Sequence, residues 1–471
     1  MIAWITHNMA PLMFAGLVVF MLIGYPAAFS LAAVGLSFGY LGIELGLIRP
    51  DFLGNLTFQL FAVISNDLLL AIPFFTLMGA ILERCGLAED LLEGFGQLFG
   101  PVRGGLSYAV ILVGAVLGAI TGTVAASVIA MGIIALPVMM RYGYSIQHAT
   151  GVIAASGTIT QLIPPSLVLV VLADQLGRSV GDMYLGAVGP SFIQVALFCI
   201  WVLIVSVISP KTVPALPPEA RTLRGWALIW RCVRGMVPSL ILIFIVLGTI
   251  FMGLATPTEA GAMGVVGAIV LAWVNRRLTW PLVYQGMATT MRITAMVIFI
   301  LIGARTFSLV FQGVGGKEWI EGLLTSLPGG QIGFLIFVNV FVFLIAFFLD
   351  FFEIAFIIIP LLAPAAEKLG IDLIWFGVLL GANIQTSFMH PPFGFALFYL
   401  RGIAPPSVKS SDIYYGAIPW VFLQVILVAI VIAFPQSVTF LLEPPVKVDP
   451  AKIEEQLRDL LPDLPPPPDF R

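Results

Sequence analysis

The side chains able to do chemistry in this chain are mostly neutral oxygen carriers, and they gather at four places. Thr158, Thr160, Gln161 and Ser166 surround Pro164-Pro165, and Asn383, Gln385, Thr386 and Ser387 precede Pro391-Pro392. Thr121 and Thr123 flank Gly122, and Asp350 and Glu353 stand in an otherwise apolar run. Oxygen-rich, sulfur-free sets suit a small hard cation such as sodium, not zinc or copper. A membrane-embedded transferase or protease would need paired Asp motifs beside basic residues, or a nucleophile and base. Only Asp350 and Glu353 come near that, so the chain reads as a non-enzyme with no cofactor beyond a coupling ion. Cys85, Cys199 and Cys232 stand singly, without metal or disulfide spacing, and read as packing residues.

The elements that must position these groups are membrane helices. Of 471 residues 60% are hydrophobic and 10% charged, with mean hydropathy +1.06, outside the range of soluble domains. Runs such as 191–209, 236–254, 333–349 and 415–434 approach or exceed the length that crosses about 30 Å of hydrocarbon. The pattern predicts a dozen or slightly more helical segments. Net charge is -3 and no basic cluster carries interleaved aromatics, which excludes a nucleic acid partner. A proline pair inside such a segment removes backbone donors and breaks the helix. Lipid offers no water to the freed carbonyls, so the break persists only where protein, ions or a wet cavity satisfy it.

The two breaks are 227 residues apart, and the same offset lays Pro137 on Pro364, Gly143 on Gly370 and Thr160 on Ser387. The sequence therefore reads as two structural repeats with broken helices, of the kind that binds substrate and ions near the bilayer midplane. Whether they are parallel or inverted depends on the number of crossings between them. The expected organisation is scaffold helices over 1–105, a first repeat core over 106–190, central scaffold helices with a basic loop over 191–331, a second core over 332–419, a final helix over 420–442 and a soluble tail over 443–471. That tail holds Pro465 to Pro468, and 450–461 suits a short amphipathic helix.

Several motifs admit two readings. Gly114, Gly118 and Gly122 recur every four residues, which suits close helix packing; with Thr121 and Thr123 they equally suit a hairpin tip whose oxygens ligate a cation. Asp350 and Glu353 fall 227 beyond Thr123 and Ala126, and their spacing puts both on one helical face, where a cation, a proton or an arginine must partner them, unless they are simply wet at the interface. Arg305 suits an internal salt bridge, a substrate carboxylate or snorkelling to the interface. His390 reads as a hydrogen-bonded packing histidine or a titrating group. Thr258 reads as a helix cap with Glu259 in the first turn, and 51–84 as an interfacial or re-entrant piece or, alternatively, a span. Half-helix N-termini after the proline pairs suit an anionic substrate.

Arg221, Arg224, Arg231 and Arg234 with Lys211 form one basic loop, and Arg276-Arg277 form the next. If the intervening region, broken at Thr256-Pro257-Thr258, is two helices, both loops lie on the cytoplasmic face. Met1 to Asn8 lacks a basic n-region and a cleavage site, so the first apolar stretch is expected to be a retained helix in an inner or plasma membrane.

Taken in order, Ala71-Ile72-Pro73-Phe74-Phe75, the Gly118-to-Thr123 tip, the Met140-to-Tyr144 turn, Ile163-Pro164-Pro165-Ser166, Gly189-Pro190, Thr256 to Glu259 and Pro391-Pro392-Phe393-Gly394 resemble the large, DctM-type membrane subunit of tripartite ATP-independent periplasmic (TRAP) transporters. The resemblance covers most of the chain. It implies an all-α polytopic fold with re-entrant hairpins and inverted repeats, similar to the ion-transporter superfamily, moving as an elevator in the bacterial inner membrane. It implies sodium-coupled import of a small organic anion, delivered by a periplasmic binding protein, with a small DctQ-type membrane subunit as a separate chain. A stand-alone divalent-anion or hydroxy-acid symporter would show the same breaks and need no binding protein. By the resemblance, the tips near Gly122-Thr123 and Leu349-Asp350 pair with the breaks to make two sodium sites: Thr121, Gly122, Thr123, Thr158, Thr160, Gln161 and Ile163 in the first, Leu349, Asp350, Asn383, Thr386 and Met389 in the second. Substrate contacts are expected from Thr123, Pro164, Pro165, Ser166, Pro391, Pro392 and Arg305. His390 replaces the threonine frequent before the second proline pair, and Thr123-Val124-Ala125 carries fewer hydroxyls than serine-rich tips.

Overall fold

Glycines and prolines divide the apolar sequence into helices, in a computed structural model that describes residues 2–391 and 394–443. Gly24, in the left-handed region at φ 90°, ends α1 (Met9–Ile23), and Pro26 starts α2 (Ala27–Glu44). Next come α3 (Asn55–Ile64) and α4 (Ala71–Glu83), a pair bent by 46° around Asn66, in keeping with the irregular character of 51–84. Amphipathic α5 (Leu87–Phe99) buries Leu87, Leu91 and Leu92 and leaves Glu89, Asp90 and Glu93 for cations. Arg231 reaches Asp90 at 2.8 Å and Glu93 at 2.6 Å, and Arg277 lies 3.9 Å from Glu89. Arg231 and Arg234, expected in the first basic loop, belong instead to the first turns of the helix over 226–251, but Arg231 and Arg277 still meet one helix on one face of the molecule, as the charge pattern implies.

Next come α6 (Gly105–Thr121), α7 (Val124–Arg141), α8 (Ile146–Thr158) with a tight turn at Ile159–Gln161, and α9 (Leu167–Leu176). Long crossings follow: α10 (Val180–Ile208), α11 (Trp226–Phe251), α12 (Pro257–Val274) and α13 (Trp280–Gly313). The pair α14 (Gly316–Thr325) and α15 (Gly330–Ile345) is bent by 115°. Then comes the rod α16 over 351–368, which passes through a π-type stretch at Ile354–Ile358, α17 (Leu373–Ile384) with a tight turn at Gln385–Met389, α18 (Phe395–Ile403) and α19 (Ser410–Ala433). The rods α7 and α16 begin at 124 and 351 and end at 141 and 368; α8 and α17 begin at 146 and 373. Among the described residues, seven helices are long and apolar enough to cross a bilayer, nine if each bent pair counts as one span. Large apolar side chains stay exposed along α10 to α13, among them Phe192, Phe244, Trp273 and Tyr284, as a lipid-facing surface requires. The expectations for 444–471 lie outside the described residues.

Chain direction follows from the loops. The end of α10 returns to the basic face, where Ser145 N–H donates to Thr212 C=O and Gly104 N–H to Val213 C=O. Tyr142, just past α7, shares a cavity on that face with Glu89 and Glu93. The start of α10 is thus at the opposite face, where Arg178 lies 3.7 Å from Glu367 at the end of α16. So α7 and α16 end on opposite faces.

The helix after the 256–258 break is capped two residues earlier than the sequence suggested. Thr256 Oγ1 accepts from Glu259 N–H while Glu259 Oε2 accepts from Thr256 N–H at 2.8 Å, with Pro257 at the first helical position. Thr258 instead donates to Asp67 C=O at 2.9 Å, tying α12 to the turn before α4. Capping needs extended backbone, and Thr256 alone has it, because the residue before a proline is held out of the helical region. Thr256→Ala is expected to lower stability by about 1 kcal/mol, read as a fall in the thermal-unfolding midpoint in detergent, with Thr256→Ser unchanged.

Candidate functional site

Gly122 is where both readings of the glycine pattern find their place. Gly114 and Gly118 are packing glycines: a Cβ on Gly114 would lie 2.7 Å from Ser156 Cβ, and one on Gly118 3.0 Å from Thr160 Cα. Gly122 is a turn, at φ 61°, that closes α6 with its N–H on Gly118 C=O. Thr123 is extended and opens α7. By length α7 qualifies as a span, yet its first turn stops beside the first break, because Gly114 and Gly118 draw α6 onto α8 and its continuation.

The tip, the break and their counterparts in the second half meet in one cavity of about 200 Å³. Its wall includes Gly122 and Thr123 of the first tip, Gln161 of the first break, Asp350 of the second tip and Phe388 of the second break. Val124, Leu167, Phe351 and Phe395, the first residues of α7, α9, α16 and α18, also line it. Four helix N-termini therefore converge on one space, each with N–H groups that lack intrahelical partners. Ile293 and Met296 of α13 close another side of it, and Tyr399 adds a phenol. Gln161 is buried, with its Oε1 unpaired among the described residues.

The break residues are held firmly. At the first, the Pro164–Pro165 bond is cis. Ser166 caps α9, accepting from Val168 N–H at 3.2 Å and donating to Gln161 C=O at 2.5 Å. Thr158 donates to Ala155 C=O at 2.8 Å and Thr160 to Gly157 C=O at 3.0 Å. At the second, Thr386 donates to Asn383 C=O at 2.7 Å, and Asn383 Nδ2 reaches Asn339 C=O of α15 at 2.8 Å. Met389 is wholly buried, and Leu349 nearly so, in the turn before Asp350. Ile163, Pro164 and Pro165 lie in the first break without facing the cavity, and Pro391 is half-buried. Pro392 and the Thr121 side chain lie outside the described residues.

Three expectations need correction. Asp350 and Glu353 do not stand as a bare acidic pair: they form a capping box in which Glu353 Oε2 accepts from Asp350 N–H at 3.0 Å and Asp350 Oδ1 accepts from Phe351 N–H at 2.6 Å. Backbone amides rather than an arginine partner them, because a chain turning into a helix exposes free N–H groups there. Arg305 sits apart, beside Gln175, Ser308 and Phe356 in a second, smaller cavity. It lies nine to twelve positions beyond Met296 and Ile293 on the continuous helix α13, about 14–18 Å further along. His390 is a packing histidine, but not a hydrogen-bonded one: its ring lies 4.2 Å from those of Phe343 and Phe347, and neither nitrogen has a partner among the described residues.

The aromatic and aliphatic part of the wall escaped the sequence. Phe351, Phe352, Phe388, Phe395 and Met296 are ordinary residues of apolar helices, and only their position next to polar breaks distinguishes them.

Polytopic helices with two broken segments around a shared, half-open cavity have the build of a membrane transporter. The fold is similar to that of the Alcanivorax borkumensis YdaH transporter, with TM-score 0.54 and 16% identity over 83% of this chain and 89% of that one. The sequence matches the family described as "Tripartite ATP-independent periplasmic transporter, DctM component" over residues 14–437, and the chain belongs to that family. Among its relatives, the C4-dicarboxylate TRAP transporter large permease protein DctM of Pseudomonas aeruginosa is 31% identical over 83% of this chain and 89% of its own length. The ectoine TRAP transporter large permease protein TeaC of Halomonas elongata is 29% identical over 92% and 99%.

Proposed function

We propose that this chain is the large permease subunit of a sodium-coupled tripartite importer of a small organic anion, a carboxylate by preference. The observation that carries the reading is the convergence of four helix N-termini on the 200 Å³ cavity. No lysine or arginine lines it among the described residues, so a carboxylate there depends on helix N–H groups and on bound cations. Asp350 supplies a carboxylate for such a cation, and sodium between Asp350 and the substrate makes two negative groups compatible in one space. That is coupling in physical terms: each ion site is completed by the other occupant. The first sodium is assigned to the oxygens of Thr121, Gly122, Thr123, Thr158, Thr160, Gln161 and Ile163, and the second to those of Leu349, Asp350, Asn383, Thr386 and Met389, with backbone carbonyls serving where no side-chain oxygen exists. Thr123 is the assigned substrate contact.

The opposite exits of α7 and α16 support inverted repeats, and a cavity bounded by both cores and by α13 suits an elevator motion past the scaffold. The substrates named for the relatives, a C4-dicarboxylate and ectoine, both carry carboxylates, which favours that class here. The family's tripartite character supports a small membrane subunit and a periplasmic binding protein as partners, in a bacterial inner membrane with the basic face cytoplasmic.

Reconstituted with its partner subunits in liposomes, the complex is expected to take up substrate only with an inward sodium gradient and only when the binding protein is present. Uptake that persists in potassium overturns the coupling, and uptake without the binding protein points to a stand-alone symporter.

A further inference from the structure

Three glutamines fill the interior between the two breaks, and the transport reading uses none of them. Gln194 of α10, Gln385 in the turn after α17 and Gln424 of α19 are fully buried. Gln424 Nε2 donates to Thr158 Oγ1 at 2.9 Å, and that hydroxyl donates onward to Ala155 C=O. The other five amide atoms, both of Gln194, both of Gln385 and Oε1 of Gln424, have no protein partner among the described residues.

Helix register puts the three at one level. Helices α8 and α19 run side by side in the same direction: Gly151 abuts Gly416 and Trp420, and Thr158 meets Gln424. Helix α10 runs against them, with Ser191 Oγ on Leu162 C=O at 3.1 Å and Phe198 edge-on to Trp420 at 5.0 Å. Gln194 falls between those two contacts, level with Thr158 and Gln424. Helix α17 also runs against α19, since Trp375 near its start donates to Val431 C=O near the end of α19 at 3.0 Å, so α10 and α17 run in parallel, with Gly377 against Met183 and Gly186 against Val378. About two turns further along both, Gln194 comes level with Gln385.

Five orphaned amide atoms in a low-dielectric interior are too costly to remain so. A cation would serve the three carbonyl oxygens but face the amino groups of Gln194 and Gln385, and an anion would do the reverse. Water both donates and accepts, and suits all five. We infer that Gln194, Gln385 and Gln424 form a built site for a small water cluster joining the backs of the two breaks, and that Gln424 is a positioning residue that orients the Thr158 hydroxyl from it.

Hydroxyl-radical footprinting of the intact complex in heavy-oxygen water tests the site, because radiolysis labels a buried side chain only where bound water lies beside it. Phe198 and Leu427, both wholly buried, are expected to be labelled in the wild type and several-fold less in folded Gln194→Met and Gln385→Met. An unlabelled wild type, or unchanged labelling in a folded variant, overturns the site; where a variant does not fold, the wild type decides alone. The positioning role rests on the sodium reading. Gln424→Met is expected to raise the sodium concentration for half-maximal uptake about fivefold with the maximal rate retained; an unchanged sodium requirement overturns that role. Sodium-independent wild-type uptake would sink the coupling instead, and the footprint would still decide the water site.

Discussion

Gly151→Ala is expected to destabilise the protein by about 3 kcal/mol, the upper end of ordinary overpacking. A Cβ at Gly151 would lie 2.2 Å from the carbonyl oxygen of Gly416 and 2.6 Å from Trp420 Nε1, and one at Gly416 would lie 2.2 Å from Gln147 C=O. Backbone is what obstructs it, so no side-chain rotation relieves the clash and α8 and α19 must move apart. That separation strains the Gln424–Thr158 bond and the contact between the Phe198 and Trp420 rings along the same seam. Thermal unfolding of purified protein measures the effect, with Gly402→Ala as control because nothing lies within 4 Å of its Cβ position. Gly416→Ala should behave like Gly151→Ala, and the double variant should cost less than the sum, since one helix displacement accommodates both methyls. Additive losses would show that the two glycines do not share a seam.

Asp350→Asn is expected to abolish sodium-dependent uptake, by tenfold or more, about 1.4 kcal/mol or above at the ion site, while leaving the fold intact. The amide oxygen can still accept from Phe351 N–H, so the cap survives, whereas the negative charge facing the cavity is gone. Glu353→Gln separates the two roles. Its carboxylate caps the Asp350 amide and does not line the cavity, so this variant should keep most of its uptake and lose a little stability. Sodium titrations of uptake, run beside melting curves, distinguish the outcomes. Full uptake by Asp350→Asn would remove this carboxylate from the ion set.

Part of this was visible in the residues themselves. The proline pairs marked the places where helices stop, since no lipid-embedded helix continues through them unaided, whereas the residues left Gly122 between a packing glycine and a turn. Hydropathy marked the class. The two basic stretches fall on one face only if two helices separate them, and the helices over 226–251 and 257–274 meet that condition. Less legible was anything set by which face of a helix turns where. Arg305 suited a substrate carboxylate by type, but α13 carries it past the cavity to another space. Asp350 and Glu353 read as an acidic pair needing a cation, a proton or an arginine, or else wet at the interface, and the sequence did not show that local backbone geometry gives each an amide. Thr256 and Thr258 were equivalent as letters, and only the extended backbone before Pro257 made the former the cap.

By itself the sequence determined that this is a membrane protein with two broken segments in matching order, because proline and hydropathy act locally along the chain. Only the tertiary structure decided that the N-termini of four helices from both halves open into one cavity, with Asp350 in its wall and Arg305 outside it. Those outcomes depend on helix direction and rotation, which are set by packing between segments hundreds of residues apart and have no local signature.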